Sequence, residues 1–140
     1  MKRPVFAANW KMNHGPTEAR AFLRKFLARY KARTDRTVII IPPAAALEAV
    51  ASAIAKRKDI LLGVQNIHTE PKGAFTGEMS AAIARDAGAR VALVGHSERR
   101  HVFGEPDEAT AKKCRIALDH RLIPVLCVGE TIEQRNAGRT

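Results

Sequence analysis

The sequence predicts an α/β protein built on one parallel sheet, and three observations predict it. Short apolar runs recur at residues 4–8, 38–41, 60–64, 90–94 and 122–128. Segments with helical periodicity lie between them, at the spacing that right-handed βαβ units require. No linker or composition break divides the 140 residues, so residues 1–140 read as a single domain.

The first run, residues 4–8, is short and apolar and reads as a strand. Gly15-Pro16-Thr17-Glu18 then gives a turn and a helix start, because the first helical positions need no partner for their amide donors. Ala19, Phe22, Leu23, Phe26, Leu27 and Tyr30 follow at three- and four-residue spacing, which predicts a helix burying one stripe. Residues 38–41 form a continuous β-branched run closed by Pro42-Pro43 and suit a strand covered on both faces. Residues 43–57 are Ala-rich with Leu47, Val50 and Ile54 on one side, predicting a second helix before the strand at 60–64. Residues 65–77 contain Pro71, Gly73 and Gly77 without periodicity, and long loops of this kind are usually functional. A short helix over 79–87 ends at Gly88, a good C-cap residue. A strand at 90–94, a helix at 106–120 and a strand at 122–128 complete the series, and residues 130–140 begin a further polar segment.

Four strand–helix alternations and a fifth strand fit either a doubly wound sheet or part of a (β/α)8 barrel. A dinucleotide-binding sheet would carry a glycine-rich first turn, and Asn9-Trp10-Lys11-Met12-Asn13 has no G-x-G-x-x-G. The barrel is favoured: about four βα units plus a fifth strand, with the parallel sheet left open.

Composition narrows the function classes. Apolar residues make up 46% and charged residues 27%, which suits a globular chain rather than a disordered one. No apolar stretch approaches the roughly 20 residues that span a bilayer, so no membrane partner is expected. Polar Asn9 and Lys11 interrupt the beginning before a signal-peptide apolar region develops, and a cytoplasmic location is expected. Cys114 and Cys127 lack the spacing of a metal site and read as reduced thiols; neither metal nor cofactor is expected. Cys127 reads first as a small core residue and second as a neighbour of the site. The net charge of +10 invites a nucleic-acid reading. Against it, Arg20, Arg24, Lys25, Arg29, Lys31 and Arg33 look like the solvated face of one helix, and aromatics, at 5%, do not interleave with them.

In parallel sheets, reactive groups gather beyond the carboxyl ends of the strands. That rule places Asn9, Lys11, His96 and Glu98 on one face. Read alone, they are equally a capping asparagine, a solvated lysine and a surface ion pair. Three strings change the weighting: Asn9-Trp10-Lys11-Met12-Asn13, Gly95-His96-Ser97-Glu98-Arg99-Arg100 and Cys127-Val128-Gly129-Glu130-Thr131. Together, and in this order, they resemble the signature segments of the triosephosphate isomerase family, and the whole chain is similar to that family's amino-terminal part.

The resemblance implies a TIM barrel and the interconversion of two triose phosphates through an enediolate. It implies that His96 is the neutral electrophilic imidazole, its pKa lowered by a helix amino end, an effect for which this family is itself the known example. A helical turn opening at Ser97 would act in that direction. The resemblance also implies that Lys11 and Asn9 bind substrate, with Glu98 close to the lysine. Ser97, Gln65 and Cys127 are carried over as supports, and Arg99 and Glu130 as structural ion-pair positions. It further implies a homo-oligomer in which Thr76, beside Phe75 on the long loop, supports a partner's site.

A barrel of this kind needs eight strands and about 250 residues. The family's general base lies beyond the fifth strand, and no residue here matches it, so the 140-residue chain alone is expected to have negligible isomerase activity. An unclosed sheet also exposes apolar edges, so self-association is expected. The readings therefore rank as an isomerase-family part, then a noncatalytic self-associating half barrel with a phosphate-binding patch, then a nucleic-acid binder.

Overall fold

A computed structural model of the chain describes residues 3–139. Strand β1 (Val5–Asn9) leads to helix α1 (Pro16–Arg29), then β2 (Thr37–Ile41), a short 3-10 turn (Ala44–Ala46) and α2 (Leu47–Ile54). There follow β3 (Ile60–Val64), α3 (Ala81–Asp86), β4 (Val91–Val94), α4 (Ser97–His101), α5 (Asp107–Asp119), β5 (Ile123–Leu126) and α6 (Ile132–Asn136). The strands pair in chain order, β1-β2-β3-β4-β5, every pair parallel. The sheet curls into a half-barrel with helices on its outer side, the α/β architecture that the sequence predicts.

Although β2, β3 and β4 read as continuous apolar runs, their side chains still alternate between two cores. Ile40, Ile60, Leu62, Val64, Ala92 and Val94 face the helices and pack with Leu23, Leu47, Val50, Ile67, Ala84 and Leu122. Ile39, Ile41, Val91 and Leu93 face inward and pack with Leu61, Val125 and Cys127. Gly63 belongs to this inward row; a Cβ there would lie 2.8 Å from Ile41 Cγ1. The edges are open: Val5 and Phe6 of β1 and Ile123 and Leu126 of β5 are each about half exposed.

Several expected boundaries move, each for a local reason. The second helix does not run over 43–57. Ala46 N–H bonds back to Pro43 O in a 3-10 turn, and the regular helix spans only Leu47–Ile54. The helix expected over 79–87 starts at Ala81, because the Ser80 hydroxyl caps it by accepting from Ile83 N–H at 3.2 Å and Met79 O is taken by His68 N–H. The basic face attributed to one helix is divided: α1 ends at Arg29, leaving Lys31 and Arg33 beyond it, where Arg33 N–H bonds to the Asp59 carboxylate. The fifth strand is shorter than 122–128, so Cys127 and Val128 lie past its end.

Candidate active site

Two turns build the site. At the end of β4 the chain reverses through Gly95, whose φ of +66° favours glycine, and a Cβ would meet Arg100 Nη2 and Thr110 Cγ2, both at 2.8 Å. Arg100 Nε donates to Gly95 O at 2.7 Å and its Nη1 also contacts Asp107, which pins the turn onto α5. His96 therefore emerges as the residue before α4, the short helix the sequence places at Ser97.

At the end of β1, Lys11 adopts a left-handed backbone, φ +52°. For a residue with a Cβ this conformation costs roughly 1–2 kcal/mol and needs fixing by its surroundings. Two hydrogen bonds fix it: Lys11 N–H donates to Asn9 Oδ1 at 2.9 Å, and Gln65 Nε2 donates to Lys11 O at 2.7 Å.

The two turns meet over one carboxylate. Lys11 Nζ lies 2.5 Å from Glu98 Oε1, and the other oxygen, Oε2, contacts His96 Nδ1. Burial, followed by the positive charge of Lys11, holds the His96 imidazole below its ordinary pKa of 6.5, favouring the neutral ring. Asn9, Lys11, Gln65, His96 and Glu98 all line one cleft of 380 Å³, together with Met12, Asn66, Leu93, Arg99 and Phe103. An imidazole held neutral, a lysine ammonium and three side-chain amides in one cleft can bind an anion and stabilise negative charge developing on an adjacent oxygen.

Three of the residues the sequence singles out lie elsewhere. Ser97 is exposed at the first position of α4, and Thr76 is exposed on the loop between β3 and α3. Cys127 packs against the inward core, where burial pushes its thiol up. Arg99 pairs with Glu105 at 3.2 Å and Glu130 with Arg135 at 2.9 Å, while Glu130 Oε2 is buried without a partner among the described residues.

Sequence reasoning missed a buried charge cluster behind the cleft. Burial pushes the Glu105 carboxyl up, yet hydrogen bonds and charge from Lys113, and then Arg99, outweigh it and hold it below the ordinary carboxylate range. One signal was available: Lys113 follows Thr110 by three residues and precedes Ala117 by four, the spacing of the buried stripe of α5. Among the described residues, no group of three or more His, Cys, Asp or Glu side chains has the geometry to hold a metal ion. None of their helices is long and apolar enough to cross a membrane.

Comparison with known proteins places the chain in a family. A family profile described as triosephosphate isomerase matches residues 4–140. The chain is 49% identical over 138 residues to the triosephosphate isomerase of Symbiobacterium thermophilum, covering 99% of this chain and 54% of that protein. It is 46% identical to the triosephosphate isomerase of Roseiflexus sp. strain RS-1 over the same shares, and 45% identical to that of Chloroflexus aurantiacus, covering 99% of this chain and 55% of the relative. The chain thus spans about half the length of the curated relatives it matches. With the family's profile covering nearly all of its residues, this chain belongs to the triosephosphate isomerase family.

Proposed function

We propose that this chain supplies the electrophilic and phosphate-attracting part of a site that interconverts glyceraldehyde 3-phosphate and dihydroxyacetone phosphate. The observation that carries the proposal is the meeting of His96, Lys11 and Glu98 in one cleft at the carboxyl ends of β1 and β4. The reaction moves a proton between adjacent carbons: a base removes it from one carbon, the carbonyl oxygen gains negative charge as the enediolate forms, the proton of the adjacent hydroxyl passes to that oxygen, and the base returns its proton to the neighbouring carbon as the new carbonyl forms. His96 polarises the oxygen, Lys11 attracts the phosphate and offsets the enediolate charge, and Asn9 holds Lys11 in place. A donor at His96 Nε2 requires Nδ1 to be the bare nitrogen. Glu98 therefore turns wholly to Lys11 when substrate enters.

The base belongs to residues other than these 140. A positioned general base contributes about 10²–10⁴-fold, so the 140-residue chain by itself should show negligible turnover. The open β1 and β5 edges and the exposed loop carrying Phe75 and Thr76 support self-association. The family's chemistry and two free cysteines support a cytoplasmic location.

Phosphoglycolate, which resembles the enediolate, tests the reading when titrated into ¹⁵N-labelled chain. Saturable shifts at His96 and Lys11, with the imidazole moving to the Nε2–H tautomer, are expected. Shifts confined to residues outside the cleft would contradict the assignment.

A further inference from the structure

One buried carboxylate anchors two residues of the cleft wall. The Glu105 and Lys113 side chains are 4% and 6% exposed, and Lys113 Nζ donates to Glu105 Oε2 at 2.5 Å. The same oxygen accepts from Arg99 Nε at 3.2 Å, and Lys113 Nζ also donates to Asn66 Oδ1 at 2.7 Å. Arg99 and Asn66 line the cleft that holds His96 and Lys11, and they also line a second cavity of 240 Å³ with Leu47 and Met79. They form the wall between the two.

Stability alone is a weak reason for this pair. Desolvating two charges cancels most of their attraction, and apolar side chains of similar volume commonly serve as well. An ammonium offers what a methionine cannot, a directed grip on two acceptors at once. Here that grip leads toward Lys11. Asn66 is one peptide bond from Gln65, whose Nε2 lies 2.7 Å from Lys11 O and 3.3 Å from Ile41 O. The left-handed backbone at Lys11 depends on that hydrogen bond and on the one from Asn9.

We propose that Lys113 is a positioning residue: from α5 it holds Asn66 and, through the adjacent Gln65 amide, fixes the left-handed backbone that aims Lys11 into the cleft. Its effect on ligand rests on the reading of the cleft given above; its effect on the Lys11 backbone does not. Two variants of the 140-residue chain separate the cases. Lys113→Met combined with Glu105→Gln removes both buried charges together; Arg99 loses its carboxylate partner but, at 31% exposed, stays in reach of solvent, and neither substituted residue lines the cleft. Asn66→Ala cuts the link while leaving Lys113 paired with Glu105.

The readouts are the Gln65 side-chain amide and Lys11 backbone amide resonances without ligand, and the Kd of phosphoglycolate. Both variants should shift both resonances, and the double variant should raise the Kd by about tenfold through misplacement of the cation. Resonances that stay at their parent positions in either folded variant would overturn the proposal, whatever the Kd does. Should the double variant fail to fold, Asn66→Ala decides by the same resonances. A parent chain that binds no phosphoglycolate would remove the functional reading and leave the resonance comparison standing.

Discussion

Glu98 shows how a single side chain divides its work. Its pair with Lys11 is 40% and 58% exposed at the two side chains, so the ion pair contributes under about 1 kcal/mol to stability. Its value lies in holding the Lys11 cation in the cleft. Glu98→Gln should therefore leave the melting temperature nearly unchanged while weakening phosphoglycolate binding by about tenfold; calorimetric titration beside a thermal melt checks the contrast.

His96 gives a pH signature of definite sign. Its folded pKa lies below 6.5 because the ring is partly buried and feels the charge of Lys11, so between that value and 6.5 the unfolded chain binds more protons than the folded one. Stability should then rise with pH across this window and fall as the solution is acidified through it. The dependence should be absent in His96→Gln, as denaturant titrations at several pH values would reveal. Asp59 acts at lower pH: its hydrogen bonds with Arg57, chiefly, hold its carboxyl at about 2, against 3.8 ordinarily. Its stabilisation is complete above the ordinary value and lost as pH falls from there toward about 2.

At the scale of elements, the turns matter more than the helices. Gly95→Ala combines a left-handed φ with a Cβ held 2.8 Å from two neighbours, one of them the Thr110 methyl carbon. A loss of about 2–3 kcal/mol in chemical denaturation is expected, along with displacement of His96, since the strain must be relieved at the turn that carries it. Alternation of apolar runs with helical stripes made the five strands legible in the amino-acid sequence, because that pattern is what burial on a parallel sheet demands. Element ends were less legible. Met79 was lost from its helix to a hydrogen bond from His68, a contact across eleven residues that no local pattern encodes. Within the site, Asn9, Lys11, His96 and Glu98 could be read from strand ends and motif strings. The grip of Gln65 on Lys11 O spans 54 residues and has no local signal, and Lys113 shows its burial only through its place on the stripe of α5, which does not reveal its partners Glu105 and Asn66.

For the molecule as a whole, two features oppose each other. The curled sheet presents apolar residues at β1 and β5 and an inward face lined by Leu61, Val125 and Cys127, all favouring contact with further chain. The net charge of +10 disfavours association of like copies, and salt screens that repulsion. Self-association of the 140-residue chain should consequently strengthen as salt is added. Light scattering over a salt series checks this, and a monomer at every salt concentration and at micromolar protein would contradict it.

The division of labour between these residues and the base outside them is most directly tested by isomerase turnover. The 140-residue chain should be assayed alone and after mixing with a polypeptide carrying the remaining part of the Symbiobacterium thermophilum relative. Negligible turnover alone, turnover in the mixture, and its loss when the chain carries His96→Gln are the predicted results. Turnover by the chain alone at the level of a full-length enzyme, or activity of the mixture indifferent to His96→Gln, would contradict the account.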